Sequence, residues 1–360
     1  MGASLHSPYA VRFKNNPVQR TLKESDTQKS GSNPSPTLEA AGLRKHYGRT
    51  QALDGFDLTV AAGTVHGLLG PNGAGKTTAV RCLTTLTELD EGTATIAGLA
   101  VRRRPRAVRE RIGLVGQFHA VDEALTARQN LTLFARLSGL SKPKAVQRSE
   151  ALLEAFALAD AATRAVSGFS GGMRRRLDIA ASLVLTPAIL FLDEPTTGLD
   201  PRGRATVWQA VREVAAAGTT VLLTTQYLDE ADQLADRISV MDHGRVIAEG
   251  TPAELKRRIG GDRVDAALAD GGRLAEAARV VGDATGAETS VDRDTRTITV
   301  EVADGGKALT SIVRALDAAS LEVDDLALRR PTLDEVFLHL TAPAEDRDTP
   351  RTALTSEEAR

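Results

Sequence analysis

The sequence contains a single cysteine, Cys82, among its 360 residues. One cysteine cannot build a disulfide framework within the chain, so a reducing, cytosolic environment fits best. Cys82 falls at a helical position just after a glycine-rich segment. We interpret it as a small buried apolar side chain.

Long apolar segments are also lacking. The longest run covers residues 179–192 and is interrupted by Thr186 and Pro187, whereas a membrane-spanning helix needs about 20 apolar residues. The N-terminus has no apolar core typical of a signal peptide. His6 stands where an N-myristoylation signal requires Ser or Thr. We therefore expect no membrane span, and any action at a membrane requires another protein.

An excess of charge of one sign is absent too. The chain has 45 Lys+Arg and 47 Asp+Glu, for a formal net charge of -2. General nucleic-acid binders usually carry a strong basic excess, so we expect no nucleic-acid partner. Hydrophobic residues make up 42% of the chain, which is enough for a sizeable core in one large and one small domain.

Residues 1–36 and 342–360 are polar and rich in breakers, which predicts disordered tails. Between residues 37 and 258 short apolar runs alternate with amphipathic segments. The runs predict strands buried in a mostly parallel sheet at 64–69, 112–115, 189–192 and 221–225. The amphipathic stretches 124–140 and 144–157 predict a helical subdomain over about residues 118–185.

The pattern changes from about residue 261. Strand, helix, strand, strand, helix and strand are predicted in turn at 263–268, 273–286, 288–291, 295–302, 307–319 and 321–328. This βαββαβ order predicts a small ferredoxin-like α+β domain over residues 261–341. A short helix, 333–340, follows Pro331. The domain carries no chemical motif, and it is either a regulatory or assembly module or a purely structural one.

A phosphate-binding loop is the most specific motif in the chain. The pattern G-x-x-x-x-G-K-[ST] is matched in full between a predicted strand and a predicted helix by Gly70, Pro71, Asn72, Gly73, Ala74, Gly75, Lys76 and Thr77, with Thr78 following. Glycines allow backbone N–H groups to surround phosphate oxygens, and the helix N-terminus adds positive potential. Lys76 is a candidate cation for the β- and γ-phosphates, and Thr77 a candidate Mg²⁺ ligand. The sequence thus predicts an α/β fold of the P-loop NTPase type that binds ATP with Mg²⁺.

Two carboxylates, Asp193 and Glu194, end a predicted strand. Ligands bind at the carboxyl ends of strands in open parallel sheets. Asp193 can hold Mg²⁺ through water, and Glu194 can reach a water in line with the γ-phosphate as general base.

A second glycine-rich segment contains Ser170, Gly171, Gly172 and Met173 and precedes a long helical stretch. Ser and Gly before a helix form a second anion site. Here the sequence resembles the ATP-binding cassette (ABC) family over residues 37–258. The resemblance implies a head-to-tail homodimer in which Ser170, Gly171 and Gly172 close over ATP held by the other subunit. Met173 departs from the usual Gln, and we expect closure to survive because Ser and Gly supply the contacts.

The resemblance also implies roles for single residues. Tyr47 looks like the aromatic that stacks on adenine, although it could be a plain surface tyrosine. Gln117 looks like the glutamine that contacts Mg²⁺ and the attacking water, at the start of the helical insertion where a membrane partner docks. Gln226 stands where most of the family has a catalytic histidine. Its amide can donate a hydrogen bond but cannot carry charge near neutral pH, so we interpret it as a working substitute rather than a mark of an inactive site.

Within this family, the sequence most closely resembles one subgroup, the daunorubicin/doxorubicin resistance ATP-binding proteins. The matching runs are residues 169–180, 224–232 and 330–337. The resemblance implies ATP-driven export of amphipathic antibiotics through a separately encoded multi-span permease, with the chain bound peripherally at the cytoplasmic face of the membrane. The alternatives are a non-membrane ABC protein acting on ribosomes or DNA, and a non-hydrolysing binding module. Ribosomal versions usually carry two cassettes, and DNA-repair versions carry long coiled coils or zinc-binding cysteines.

Overall fold

The structure, a computed structural model, describes residues 36–258, 261–329 and 331–341. The two predicted tails therefore lie outside the described residues, apart from Pro36. The described residues divide into two compact units, with the boundary between Glu249 and Gly250. The second unit begins earlier in the chain than the predicted domain at 261–341.

Two sheets build the first unit. An antiparallel sheet has the order β2-β1-β4-β5 and consists of β1 (Leu38–Tyr47), β2 (Thr50–Val60), β4 (Glu91–Ile96) and β5 (Leu99–Ala100). A six-stranded sheet has the order β10-β9-β3-β8-β7-β6 and consists of β3 (Val65–Leu69), β6 (Ile112–Val115), β7 (Ile189–Asp193), β8 (Thr220–Thr225), β9 (Arg237–Asp242) and β10 (Arg245–Gly250).

The inner strands of the six-stranded sheet are buried, and this burial explains their apolar sequences. β9, β3, β8, β7 and β6 pair in parallel. Every residue of β3, β7 and β8 is buried, as expected for strands covered on both faces. The predicted strands are confirmed, and their carboxyl ends meet at one edge of the sheet.

Helices connect these strands. They are α1 (Lys76–Leu83), α2 (Pro105–Arg109), α3 (Ala127–Leu137), α4 (Lys142–Ala155), α5 (Gly171–Ser182), α6 (Pro201–Ala216) and α7 (Leu228–Leu234). The helical segment predicted between β6 and β7 contains α3, α4 and α5. Thr126 and Gln129 form a capping box at the start of α3, which satisfies two otherwise free backbone N–H groups. Leu131, Leu153 and Leu177, one from each of these helices, share one core.

The second unit begins with α8 (Pro252–Arg257) and contains β11 (Asp262–Leu268), α9 (Leu274–Thr285), β12 (Thr289–Asp292), β13 (Thr297–Val302), α10 (Gly305–Ala318), β14 (Val323–Arg329) and α11 (Leu333–Thr341). The antiparallel sheet order is β12-β13-β11-β14. Together with the βαββαβ order of β11 to β14, this confirms the predicted ferredoxin-like fold. Val264, Val281 and Ile312 pack in its core.

The helix predicted after Pro331 is observed as α11, and it packs against α8 inside the second unit. Leu333 and Val336 on α11 are buried, whereas Leu338 is exposed. The apolar side of α11 is therefore partly covered by the chain's own second unit. Among the helices of the described residues, none is both long enough and apolar enough to cross a membrane.

Candidate functional site

The phosphate loop joins the end of β3 to the start of α1. Gly75 caps α1 in a left-handed conformation with φ of 108°. A Cβ atom at Gly75 would lie 2.4 Å from the carbonyl oxygen of Ala52 on β2, so a side chain is excluded there by both strain and contact. The loop can take its phosphate-binding shape only with glycine at this position, as the motif predicts.

The Lys76 ammonium lies inside this loop. Its Nζ donates to the carbonyl oxygens of Gly70 at 2.8 Å and Pro71 at 3.0 Å, and lies 3.6 Å from Oε1 of Glu194. Burial lowers the pKa of Lys76 from its ordinary value, while the nearby carboxylates of Glu194 and Asp193 oppose that shift. The loop lysine and the proposed general base therefore face each other.

Asp193, Thr77 and Gln117 converge beside the loop. The Thr77 hydroxyl donates to Oδ1 of Asp193 at 3.3 Å, and Nε2 of Gln117 lies 3.5 Å from Oγ1 of Thr77. The three side chains come from α1, the end of β7 and the segment after β6. The structure thus brings together the residues predicted to bind metal.

These three groups fit Mg²⁺ by their chemistry. A hydroxyl and a carboxylate are hard oxygen ligands, and the Gln117 amide presents its oxygen if the amide group rotates by 180°. Mg²⁺ usually completes its coordination shell with water and substrate phosphates. No group of three or more His, Cys, Asp or Glu residues capable of holding a metal occurs in the described parts of the chain.

Glu194 has an unusual backbone. Its φ of 48° lies in the left-handed region, which is costly for a residue other than glycine. Residues with such strained backbones cluster at functional sites. The backbone N–H of Glu194 donates to the carbonyl oxygen and the hydroxyl oxygen of Thr224, each at 3.1 Å. The neighbouring strand β8 therefore holds the turn that directs Glu194 toward Lys76.

The serine-glycine segment caps α5. Ser170 is the N-cap residue, and its hydroxyl accepts from the N–H of Met173 at 3.3 Å. A Cβ at Gly172 would lie 3.2 Å from Cα of Gly203 near the start of α6, so glycine permits this close approach. Met173 is partly buried against the helical core, which explains why an apolar residue is accommodated in place of Gln.

Tyr47 is at the end of β1, where it pairs with Thr50 at the start of β2. The same strand β2 carries Ala52, whose carbonyl oxygen approaches Gly75. Tyr47 is 47% exposed, and Nζ of Lys45 lies 5.6 Å from its ring centroid. Tyr47 is therefore half-exposed on the hairpin that borders the phosphate loop, while its stacking on adenine stays a prediction.

Gln226 directly follows β8 and is partly buried. It lies at the same edge of the sheet as Asp193 because β7 and β8 are parallel neighbours. Its position fits the predicted contact with the γ-phosphate, and that role also stays a prediction.

Two further side chains contact Asp193 that the sequence did not predict. The Thr224 hydroxyl donates to Oδ1 of Asp193 at 2.6 Å, and Arg175 on α5 donates to the backbone carbonyl of Asp193 at 3.1 Å. β8 contains three threonines around the run Val221-Leu222-Leu223, so the sequence does not single out Thr224. Arg175 is the middle of three consecutive arginines, and nothing in that run distinguishes a buried arginine from a solvated one.

A model of the ABC transporter family matches residues 53–197, and one of the "ATP-binding protein DrrA1-3-like, C-terminal domain" matches residues 250–341. The first match contains the phosphate loop, Asp193, Glu194 and Ser170, whereas Tyr47 and Gln226 lie outside it. The second begins at the same residue as the second structural unit.

Relatives extend this likeness over nearly their whole length. The chain is 59% identical over 300 residues to the daunorubicin resistance ATP-binding protein DrrA3 of Streptomyces coeruleorubidus, covering 83% of this chain and 94% of that protein. It is 50% identical over 321 residues to the daunorubicin/doxorubicin resistance ATP-binding protein DrrA of Streptomyces peucetius, covering 89% and 97%. The chain belongs to the ABC transporter family of ATP-binding proteins, in the group that includes these DrrA proteins.

Solved structures agree with this assignment. CbiO1 of Clostridium perfringens, part of an ABC transporter complex, matches with a TM-score of 0.58 and 28% identity, covering 62% of this chain and 93% of that one. The ADP conformation of another ATP-binding cassette matches with a TM-score of 0.55 and 26% identity, covering 61% and 92%. The chain is thus an ATPase of the ABC type, built to bind ATP.

Proposed function

We propose that this ATPase powers the export of an amphipathic, anthracycline-like antibiotic or drug through a separately encoded permease. The observation that carries the proposal is the match to drug-resistance ATP-binding proteins across both structural units. The complete phosphate loop and paired carboxylates support hydrolysis. The drug itself would bind the permease, so its identity rests on the relatives rather than on this chain's residues.

The site residues divide the chemistry among themselves. Tyr47 stacks on the adenine, and the backbone of the loop from Gly70 to Thr78 surrounds the phosphates. Lys76 exchanges its carbonyl partners for phosphate oxygens. Glu194 accepts a proton from the attacking water, a role that typically contributes about 10²–10⁴-fold in rate, and Gln226 donates a hydrogen bond to the γ-phosphate.

Thr77, Asp193 and Gln117 would hold Mg²⁺. When bound, the metal neutralises charge on the β- and γ-phosphate oxygens. The hydrogen bond that the Thr224 hydroxyl donates to Asp193 at 2.6 Å orients the carboxylate toward the metal position.

A head-to-tail homodimer completes two ATP sites. The Ser170 hydroxyl, with the backbone of Gly171 and Gly172, presents the N-terminus of α5 as a second anion-binding surface. In the dimer this surface covers the γ-phosphate bound by the other copy. Closure moves the helical segment between β6 and β7, to which the permease docks, and hydrolysis reopens the dimer. The chain would accordingly lie at the cytoplasmic face of the membrane as a peripheral subunit.

The test is affinity purification of Glu194→Gln from mildly solubilised cells with ATP and Mg²⁺. We expect a stoichiometric multi-span membrane protein to accompany it, because ATP-bound dimers persist when hydrolysis is blocked. Lys76→Ala, which loses the phosphate-binding cation, is the matched control and should retain less of the dimer. Ribosomal or DNA-bound partners without a membrane subunit would overturn the proposal. Co-expression with the recovered permease should then lower cellular anthracycline accumulation in an ATPase-dependent way.

A further inference from the structure

The segment around Gln117 is held from both sides by one helix. Arg175 and Asp178 lie three residues apart on α5, so they project from the same side of that helix. Arg175 reaches the residue before Gln117, and Asp178 reaches the residues after it. Both side chains are buried, with 3% and 4% of their surface exposed.

Arg175 forms a fork between two backbone carbonyls. Its Nη1 donates to Gly116 at 2.6 Å, and its Nη2 donates to Asp193 at 3.1 Å. A planar guanidinium can hold two acceptors in fixed geometry, which an ammonium cannot do. Arg175 therefore ties the start of the Gln117 segment to the strand end that carries the candidate metal ligand Asp193.

Asp178 fixes the other side of the segment. Its Oδ1 accepts from the backbone N–H groups of Ala120 at 3.0 Å and Val121 at 3.3 Å. Its Oδ2 pairs with Nδ1 of His119. Hydrogen bonds to a charged acceptor are roughly twice as strong as neutral ones. The carboxylate thus gathers three consecutive residues immediately after Gln117 and Phe118.

We propose that Arg175 and Asp178 are positioning residues that hold Gln117 against Thr77 by anchoring the backbone on both sides of it. The helix that performs this anchoring is capped by Ser170, the residue proposed to cover ATP in the partner. This inference rests on the proposed metal-binding role of Gln117.

The experiment measures the affinity of Mn²⁺, a paramagnetic substitute for Mg²⁺, in the ATP complex by electron paramagnetic resonance. The full chain carries Glu194→Gln so that ATP is not consumed. We expect Gln117→Ala and Asp178→Ala each to weaken Mn²⁺ binding by about tenfold or more, the effect typical of disturbing a metal ligand or the contacts that support it. The Gln117→Ala/Asp178→Ala double variant should be no weaker than Gln117→Ala alone, because both changes remove the same contact.

Conservative variants separate positioning from general damage. Asp178→Asn retains the shape of the side chain and should weaken binding in the same direction but less. Arg175→Lys cannot hold both carbonyls and should also weaken binding. Arg176→Lys is the matched control, since Arg176 is on the same helix and donates to the carbonyl of Phe156 at 2.8 Å, away from Gln117. It should leave Mn²⁺ affinity unchanged.

Two results distinguish the possible failures. If Gln117→Ala weakens Mn²⁺ binding but Asp178→Ala and Asp178→Asn do not, or if the losses add in the double variant, Arg175 and Asp178 do not position Gln117. If Gln117→Ala itself leaves the affinity unchanged, the proposed metal-binding role of Gln117 is wrong, and the positioning proposal falls with it.

Discussion

The Lys76 ammonium and the Glu194 carboxylate lie 3.6 Å apart, although they come from opposite sides of β8 in the sheet. Lys76 follows β3 and Glu194 follows β7, and β8 lies between these strands. The candidate base is thus paired with the candidate phosphate-binding cation. Phosphate oxygens would attract the lysine, which would release Glu194 to act on water.

Glu194→Gln should bind ATP but hydrolyse it about 10²–10⁴-fold more slowly, because the amide cannot accept the proton. The variant should also accumulate as a dimer with ATP and Mg²⁺ in size-exclusion chromatography. Glu154→Gln, at an exposed position on α4, is the control for a change of one charge. A Glu194→Gln variant with the wild-type hydrolysis rate would remove Glu194 from the role of base.

Gln226→Ala should slow hydrolysis by about tenfold or more, since it removes one hydrogen bond to a charged group. Gln226→His should retain activity and acquire a pH dependence near the ordinary histidine pKa of about 6.5. Steady-state ATPase rates between pH 6 and 8 would check both. Equal rates for Gln226→Ala and the wild type at saturating ATP would show that Gln226 is not needed.

The chemistry of the site is predictable from the sequence because each motif combines with a strand end. The apolar runs of β3, β7 and β8 place the phosphate loop and Asp193 at one edge of the sheet, since the carboxyl ends of parallel strands meet there. The order of strands and helices after residue 261 likewise predicts the fold of the second unit.

The connections among these motifs are not predictable in the same way. Arg175 and Asp178 belong to a polar stretch of α5 that looks like a solvated helix face. Their partners are backbone atoms, which leave no mark on the sequence of the partner segment. The boundary at Gly250 is hidden for a related reason, because α8 follows β10 directly and its packing against α11 depends on residues far along the chain.

Glu230 on α7 offers a test of a buried charge. Its Oε1 accepts from the Thr196 hydroxyl at 2.8 Å and from the Trp208 indole at 3.0 Å. Burial raises the pKa of Glu230 above its ordinary value of 4.5, despite these hydrogen bonds. The folded protein therefore binds this proton more tightly than the unfolded chain, and the free energy of unfolding falls as pH rises from about 4.5 through the raised pKa.

Glu230→Gln should reduce the decrease of the unfolding free energy with rising pH. The Gln amide oxygen can still accept both hydrogen bonds, but the side chain no longer ionises. Urea unfolding at several pH values, followed by fluorescence of Trp208, the only tryptophan in the sequence, would measure it. Glu88→Gln, on the surface, is the control. A stability difference between Glu230→Gln and the wild type that stays constant with pH would contradict the prediction.

His66 on β3 should give the opposite dependence of unfolding free energy on pH. It is 1% exposed, and its Nε2 lies 2.8 Å from the Ser239 hydroxyl on β9. Burial, and then the positive charge of Arg237, lower the pKa of His66 from 6.5 to about 4. On acidification the unfolded chain therefore protonates His66 at a higher pH than the folded protein does. The stabilising contribution of neutral His66 is fully present above pH 6.5 and is lost as pH falls toward 4.

The lowered pKa of His66 corresponds to about 3 kcal/mol of unfolding free energy lost across that range. His66→Gln can still pair with Ser239 but cannot be protonated, so its stability should depend less on pH between 6.5 and 4. His243→Gln, where the histidine side chain is 92% exposed, should follow the wild type. Because both proteins contain Glu230, its contribution cancels in the difference between His66→Gln and the wild type, which isolates the histidine. If both lose stability equally between pH 6.5 and 5, His66 is not held neutral by burial.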